Sequence, residues 1–212
     1  VSKEKQLEEL RRVVLECRKC KLWQYRRNVV FGEGSPYTSI MFIGEAPGEK
    51  EDLSGRPFVG SAGKLLTQLI NSIGLRREDV YITNVLKCRP PENRDPEPDE
   101  IEACRPYLEK QIEIIQPEII VTLGRYSTKF ILEAAGTTPQ PISRIRGTVL
   151  RLKLRFLPRE VIVLPMYHPA AALYNPRVRR YLEEDFKKLR QCIEHRIALK
   201  EPVTLDKFFN TT

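Results

Sequence analysis

Short runs rich in Ile, Val and Leu alternate along this chain with longer segments of helical periodicity, and that alternation restricts the fold more than any other feature. Residues 39–43, 80–86, 117–124 and 161–169 read as strands. Apolar runs of this length, bounded by Gly, Pro or polar residues, suit strands buried on both faces. Between them the pattern predicts helices at about 3–16, 61–73, 99–115, 125–135 and 177–199, with Ser61 a candidate cap for the second. Strand and helix in alternation predict an α/β fold with a parallel sheet covered on both faces. Residues 146–157, "RGTVLRLKLRFL", add a small strand or hairpin at the side.

Ligands of such sheets sit beyond the C-terminal ends of the strands. Three segments fall there: "GEAPGEKED" (44–52), "TNVLKC" (83–88) and "YHPAAALYNP" (167–176). The first lacks the lysine and hydroxyl of a phosphate-binding loop, and its acids would repel a phosphate. The whole chain nonetheless carries a formal charge of +8, which favours an anionic partner such as nucleic acid. Its 212 residues suit one domain or one domain with an extension. No apolar run reaches a membrane-spanning length, and the charged N-terminus is unlike a signal peptide. An intracellular, cytoplasmic protein without a membrane partner is expected.

Five cysteines occur. Cys17 and Cys20 form a CxxC, and Cys88 and Cys104 flank a Pro-rich loop. Four thiolates would suit zinc or a [4Fe–4S] cluster, and the spacing does not choose between them. A redox CxxC pair and unrelated buried thiols are the other readings. Cys192 lies on a periodic helix and reads as a core residue.

"GEAPGEKEDLSGRPFVGSAGKLL", "ITNVLKCRPPENRDPEPDEIEAC" and "MYHPAAAL" together resemble the family 4 uracil-DNA glycosylases, the iron–sulfur type of archaea and thermophilic bacteria. The likeness runs from Cys17 to about Leu189. It implies a three-layer α/β/α sandwich on a short four-stranded parallel sheet. It also implies one [4Fe–4S] cluster held by Cys17, Cys20, Cys88 and Cys104, structural or tied to DNA binding. The expected substrate is uracil-containing DNA, single- or double-stranded, and the expected protein is a monomer. The expected reaction is monofunctional hydrolysis of the N-glycosidic bond in base excision repair, which leaves an abasic site.

The resemblance also assigns roles. Uracil must leave the stack to be reached, so it needs an aromatic platform, for which Phe58 is the candidate. Asn84 offers the amide that complements uracil O4 and N3–H. His168 is placed at uracil O2, where a donor stabilises the charge that develops as the bond breaks. The better-known uracil glycosylases carry a water-positioning Asp where this chain has Ala46, and a methyl-blocking Tyr where it has Gly48. Glu45 is therefore expected to stabilise the sugar cation and orient water, with backbone N–H groups around Ala46 donating to the base. Glu51 is expected to exclude the thymine methyl, and Asp52 to hold the turn through Arg56. DNA contacts are expected from Ser61, from Leu173 as a wedge, and from Arg177, Arg179 and Arg180.

Residues 1–199 are expected to form a single glycosylase domain. The tail at 200–212, with Leu205, Phe208 and Phe209, is similar to a sliding-clamp-binding peptide, with Pro202 where a Gln usually stands. A non-catalytic iron–sulfur or zinc nucleic-acid-binding protein is the alternative. It accounts for the charge and the cysteines but leaves Asn84, His168 and the acidic turn without a task.

Overall fold

A computed structural model describes residues 1–195 of the chain. Helix α1 (Lys3–Leu15) precedes strand β1 (Glu33–Gly34) and strand β2 (Ile40–Gly44). Helices α2 (Glu49–Ser54) and α3 (Ser61–Ser72) lead to β3 (Tyr81–Asn84), and α4 (Pro98–Ile115) leads to β4 (Ile119–Leu123). There follow α5 (Arg125–Ala134), α6 (Ile142–Ile145), β5 (Leu150–Lys153), β6 (Glu160–Met166), α7 (Pro169–Ala172) and α8 (Pro176–His195).

Among the described residues the strands form one six-stranded sheet in the order β1-β3-β2-β4-β6-β5. The expected short four-stranded parallel sheet is thus corrected to a mixed one. Strands β3, β2, β4 and β6 are mutually parallel, and β1 and β5 close the two edges as antiparallel partners. β1 is two residues long and carries no apolar pattern, so nothing in its sequence marks it.

Successive residues of a strand point to opposite faces. Met41 and Ile43 therefore enter one core with Leu7, Val14, Leu108, Ile112 and Phe130, from α1, α4 and α5. Ile40 and Phe42 enter a second core with Leu65, Leu66, Ile70, Leu182 and Phe186, from α3 and α8. Both faces are covered, as continuous apolar strands require.

The acidic stretch after β2 is a helix, not a bare turn. Gly48 caps α2, and Glu49, Glu51 and Asp52 fill its first turn. Carboxylates there face the positive end of the helix dipole and stabilise it. Asp52 is 2% exposed. It accepts from the backbone amides of Arg27 (2.9 Å) and Asn28 (3.3 Å), while Arg56 pairs with Glu33 at 2.8 Å. The expected Asp52–Arg56 contact is corrected accordingly.

No helix among the described residues is long and apolar enough to cross a membrane. The tail residues Leu205, Phe208 and Phe209 lie outside the described residues.

Candidate active site

The C-terminal ends of β2, β3 and β6 open onto one cleft of about 420 Å³. Glu45, Ala46, Gly48, Glu51, Phe58, Asn84 and His168 all line it. All the residues expected to act on the base thus share one cavity, whose volume lies within the range of small-molecule sites.

Gly44 and Asn84 are register partners on adjacent parallel strands. Asn84 is 2% exposed, and its Oδ1 is buried with no hydrogen-bond partner. An unpaired buried acceptor costs on the order of 1–3 kcal/mol, a debt that a ligand donor would cancel. The Asn84 backbone carbonyl accepts from Lys87 Nζ at 2.7 Å, and Lys87 also donates to Thr83 Oγ1 and Gln111 Oε1, each at 2.6 Å. Lys87 is fully enclosed, and burial pushes its amine down to about 7. This anchor behind Asn84 has no signature in sequence.

Phe58 packs flat against His168, with ring centroids 5.6 Å apart and planes at 26°. His168 caps α7: its Nδ1 accepts from the Ala170 amide at 3.1 Å. With Nδ1 an acceptor, the ring proton resides on Nε2. Burial lowers His168 to about 4, against an upward pull from Glu51, so the imidazole is neutral at physiological pH. Gly124 has φ 94°, and a Cβ there would lie 3.2 Å from the His168 Cβ. Glycine thus lets β4 end close beside the histidine.

Glu45 is half-buried. Burial, with a smaller push from Asp95 and against the pull of Arg125, raises its carboxyl to about 7. Glu51 Oε1 accepts from the amides of Val59 and Gly60, each at 2.8 Å. Its Oε2 would stand 2.8 Å from a Cβ on Gly48, so the carboxylate fills the space beside that glycine.

Pro90, Asn93 and Arg94 from the Pro-rich loop also line the cleft, as do Ala170 and Ala171. Arg94 is locked by a two-pronged contact with the buried Glu100, at 2.6 and 3.0 Å. That pairing folds the loop over the site, and the loop's acids gave no sign of it.

The residues expected on DNA lie at the surface. Ser61 opens α3 but makes no side-chain cap; Gly60 is the cap residue. Leu173 is 37% exposed, and its neighbour Tyr174 is 95% exposed. Arg177 donates to Tyr181 Oη at 2.7 Å, Arg179 pairs with Glu183 at 3.2 Å, and Arg180 is exposed.

Cys17, Cys20, Cys88 and Cys104 border a second, small cavity together with Arg26, Lys87 and Tyr107. Among the described residues, however, no group of three or more His, Cys, Asp or Glu side chains could hold a metal ion. The expected [4Fe–4S] cluster, and metal ligation by these four cysteines, are corrected on that finding. Here burial raises the Cys20 and Cys88 thiols and pushes Cys104 up to about 12, and Cys88 Sγ accepts from Arg26 at 3.3 Å. Cys192 is buried in the α3–α8 core, as its periodicity predicts.

Fold and cleft together define an α/β domain with a cavity at the C-terminal ends of its parallel strands. Residues 31–191 match the uracil DNA glycosylase superfamily. The chain is 61% identical over 186 residues to the type-4 uracil-DNA glycosylase of Sulfurisphaera tokodaii, covering 87% of this chain and 84% of that one. It is 55% identical to the Saccharolobus solfataricus type-4 enzyme, over 92% and 88% of the two chains. It is 51% identical to that of Archaeoglobus fulgidus, over 94% and 98%. The chain belongs to the uracil DNA glycosylase superfamily and, within it, to the type-4 uracil-DNA glycosylases. Membership supports a DNA-repair glycosylase function, with DNA as the binding partner.

Proposed function

We propose that this chain is a monofunctional uracil-DNA glycosylase that flips uracil into the cleft and hydrolyses its N-glycosidic bond, leaving an abasic site. The observation that carries the reading is the unpartnered Oδ1 of Asn84 at the cleft. Uracil supplies what it lacks: N3–H donates to Oδ1, and O4 accepts from the side-chain NH2. Cytosine presents an acceptor at N3, which would face Oδ1 lone pair to lone pair, and a dry site rejects such a mismatch strongly.

The base stacks on Phe58. As the bond lengthens, negative charge gathers on the uracil ring, and the neutral His168 donates Nε2–H to O2. A donor fixed in advance stabilises charge at the moment it forms. The deoxyribose becomes cation-like, and the Glu45 carboxylate faces that charge and orients the water. A carboxyl at about 7 gives up its hydration to the site yet ionises within the physiological range. Glu51 closes the space beside Gly48 against a 5-methyl group. Ser61, Leu173, Arg177, Arg179 and Arg180 contact the DNA flanking the flipped nucleotide.

Uracil release from a defined single-stranded oligonucleotide, followed by alkaline cleavage at the product, tests this reading. Release with strand breakage only after alkali is expected. No release, or breakage without alkali, would overturn it.

A further inference from the structure

Phe58 has a backbone φ of 51°. A phenylalanine enters this left-handed region against steric resistance, so the surrounding structure must hold it there. Two side chains grip the Pro57–Gly60 loop. Glu51 takes the amides of Val59 and Gly60. Arg77 takes the preceding carbonyls, donating from Nη2 to Pro57 O at 2.5 Å and from Nη1 to Phe58 O at 2.8 Å. Arg77 is itself fixed. Glu33 Oε1 accepts from its Nε at 3.1 Å and its Nη2 at 2.6 Å, and Thr67 Oγ1 lies 3.3 Å from Nη1. Gly63 brings α3 onto the same peptide: a Cβ there would lie 1.9 Å from the Phe58 carbonyl oxygen.

A guanidinium presents several donors in a rigid plane, so it can hold two successive carbonyls while its other edge binds a carboxylate. An ammonium cannot hold all of these at once. The edge strand β1 supplies the carboxylate, which gives that two-residue strand a task. We propose that Arg77, oriented by Glu33, is a positioning residue for base recognition. Its grip on the Pro57 and Phe58 carbonyls sets the left-handed turn and thereby the plane of the ring on which uracil stacks. This rests on the reading of Phe58 as the platform.

Arg77 also borders a shallow groove with Arg56, Lys64 and Gln68, so a phosphate contact is the competing role. The test uses Arg77→Met and Arg77→Lys, each alone and combined with Phe58→Ala. Two quantities are read: single-turnover uracil release at saturating enzyme, and the salt dependence of affinity for an uncleavable uracil analogue in DNA. Arg77→Met is expected to slow release about 10- to 100-fold, as misplacement of a binding group does, with the salt slope unchanged. Arg77→Lys is expected to lose less. In the Phe58→Ala background, Arg77→Met should cost less than about twofold more, because coupled residues are not additive.

Full additivity in that background would overturn the proposal. So would a shallower salt slope with normal release at saturation, which would make Arg77 a phosphate contact. Wild-type release by Phe58→Ala is a different result and would remove the platform reading itself. Should Arg77→Met fail to fold, Glu33→Gln carries the test. A slower release that vanishes in the Phe58→Ala background is expected there, and unchanged release overturns the proposal.

Discussion

Gly44 lies against Asn84 so closely that a Cβ added to it would stand 2.3 Å from the Asn84 Oδ1 and 2.5 Å from the Phe58 Cζ. One missing methyl group thus makes room for both the Asn84 amide and the Phe58 ring. Glycine is needed here for space, since its backbone is ordinary strand.

Gly44→Ala is therefore expected to displace both groups at once. Uracil release should fall at least about 100-fold, the scale of a misplaced binding group, while the domain still folds. Single-turnover release and a melting curve check this. Near-normal release would mean that Asn84 and Phe58 can shift without harm to recognition.

The raised carboxyl of Glu45 predicts an acid limb. If the carboxylate is the working form, release should climb with pH and level off above about 7. Glu45→Gln should lower the rate and remove the limb; a limb that persists assigns it elsewhere. The stability effect has the opposite sense. A carboxyl raised in the folded state stabilises fully below its ordinary value of 4.5 and loses that contribution as pH rises through about 7. At pH 8, Glu45→Gln should thus be more stable than the parent, by on the order of 1 kcal/mol or about 2–4 °C in melting temperature. At pH 4 the gain should vanish.

His168 is expected to stay neutral from about pH 5.5 to 8, with its proton on Nε2. Its depressed value makes its contribution to stability full above 6.5 and lost as pH falls through about 4. Imidazole ¹⁵N shifts report this directly. The chain has two histidines, so His168→Gln assigns the signal. A protonated Nδ1 at pH 7 would contradict the cap bond from Ala170.

Glu51 has two tasks by this geometry, the amides of Val59 and Gly60 and the space beside Gly48. Glu51→Ala should slow uracil release, since two loop amides lose an acceptor at a cost of about 1–3 kcal/mol. It should also raise thymine release relative to uracil from matched duplexes. An unchanged ratio would leave thymine exclusion to another group.

The four parallel strands are legible as largely apolar runs because burial on both faces leaves few polar positions, such as Thr83, Asn84 and Thr122. β5 falls within the 146–157 run read as a side strand, whereas β1 is not legible: an edge strand needs only its backbone to pair, and Glu33–Gly34 has no apolar residue to betray it. α2 was hidden because its acids, read singly, suggest repulsion, whereas in a first helical turn they are favourable. Asn84 and His168 were visible as polar residues at strand ends. Their pairing with Phe58 came from the family resemblance. Arg77, Lys87 and Arg94 escaped notice because each acts through contacts distant in sequence, such as Arg77 with Glu33. The cysteines mark the opposite limit. Their spacing suggested a metal centre and did bring all four to one cavity, but the structure gives no metal-holding group among the described residues.

In the proposed reaction Asn84 reads the uracil edge. Single-turnover release from single-stranded uracil DNA by the parent chain and by Asn84→Ala tests it most directly, with melting curves to confirm folding. The account predicts a loss of about 100-fold or more in a folded variant, the scale of a lost transition-state hydrogen-bonding group. Release by a folded Asn84→Ala at the parent rate would contradict it.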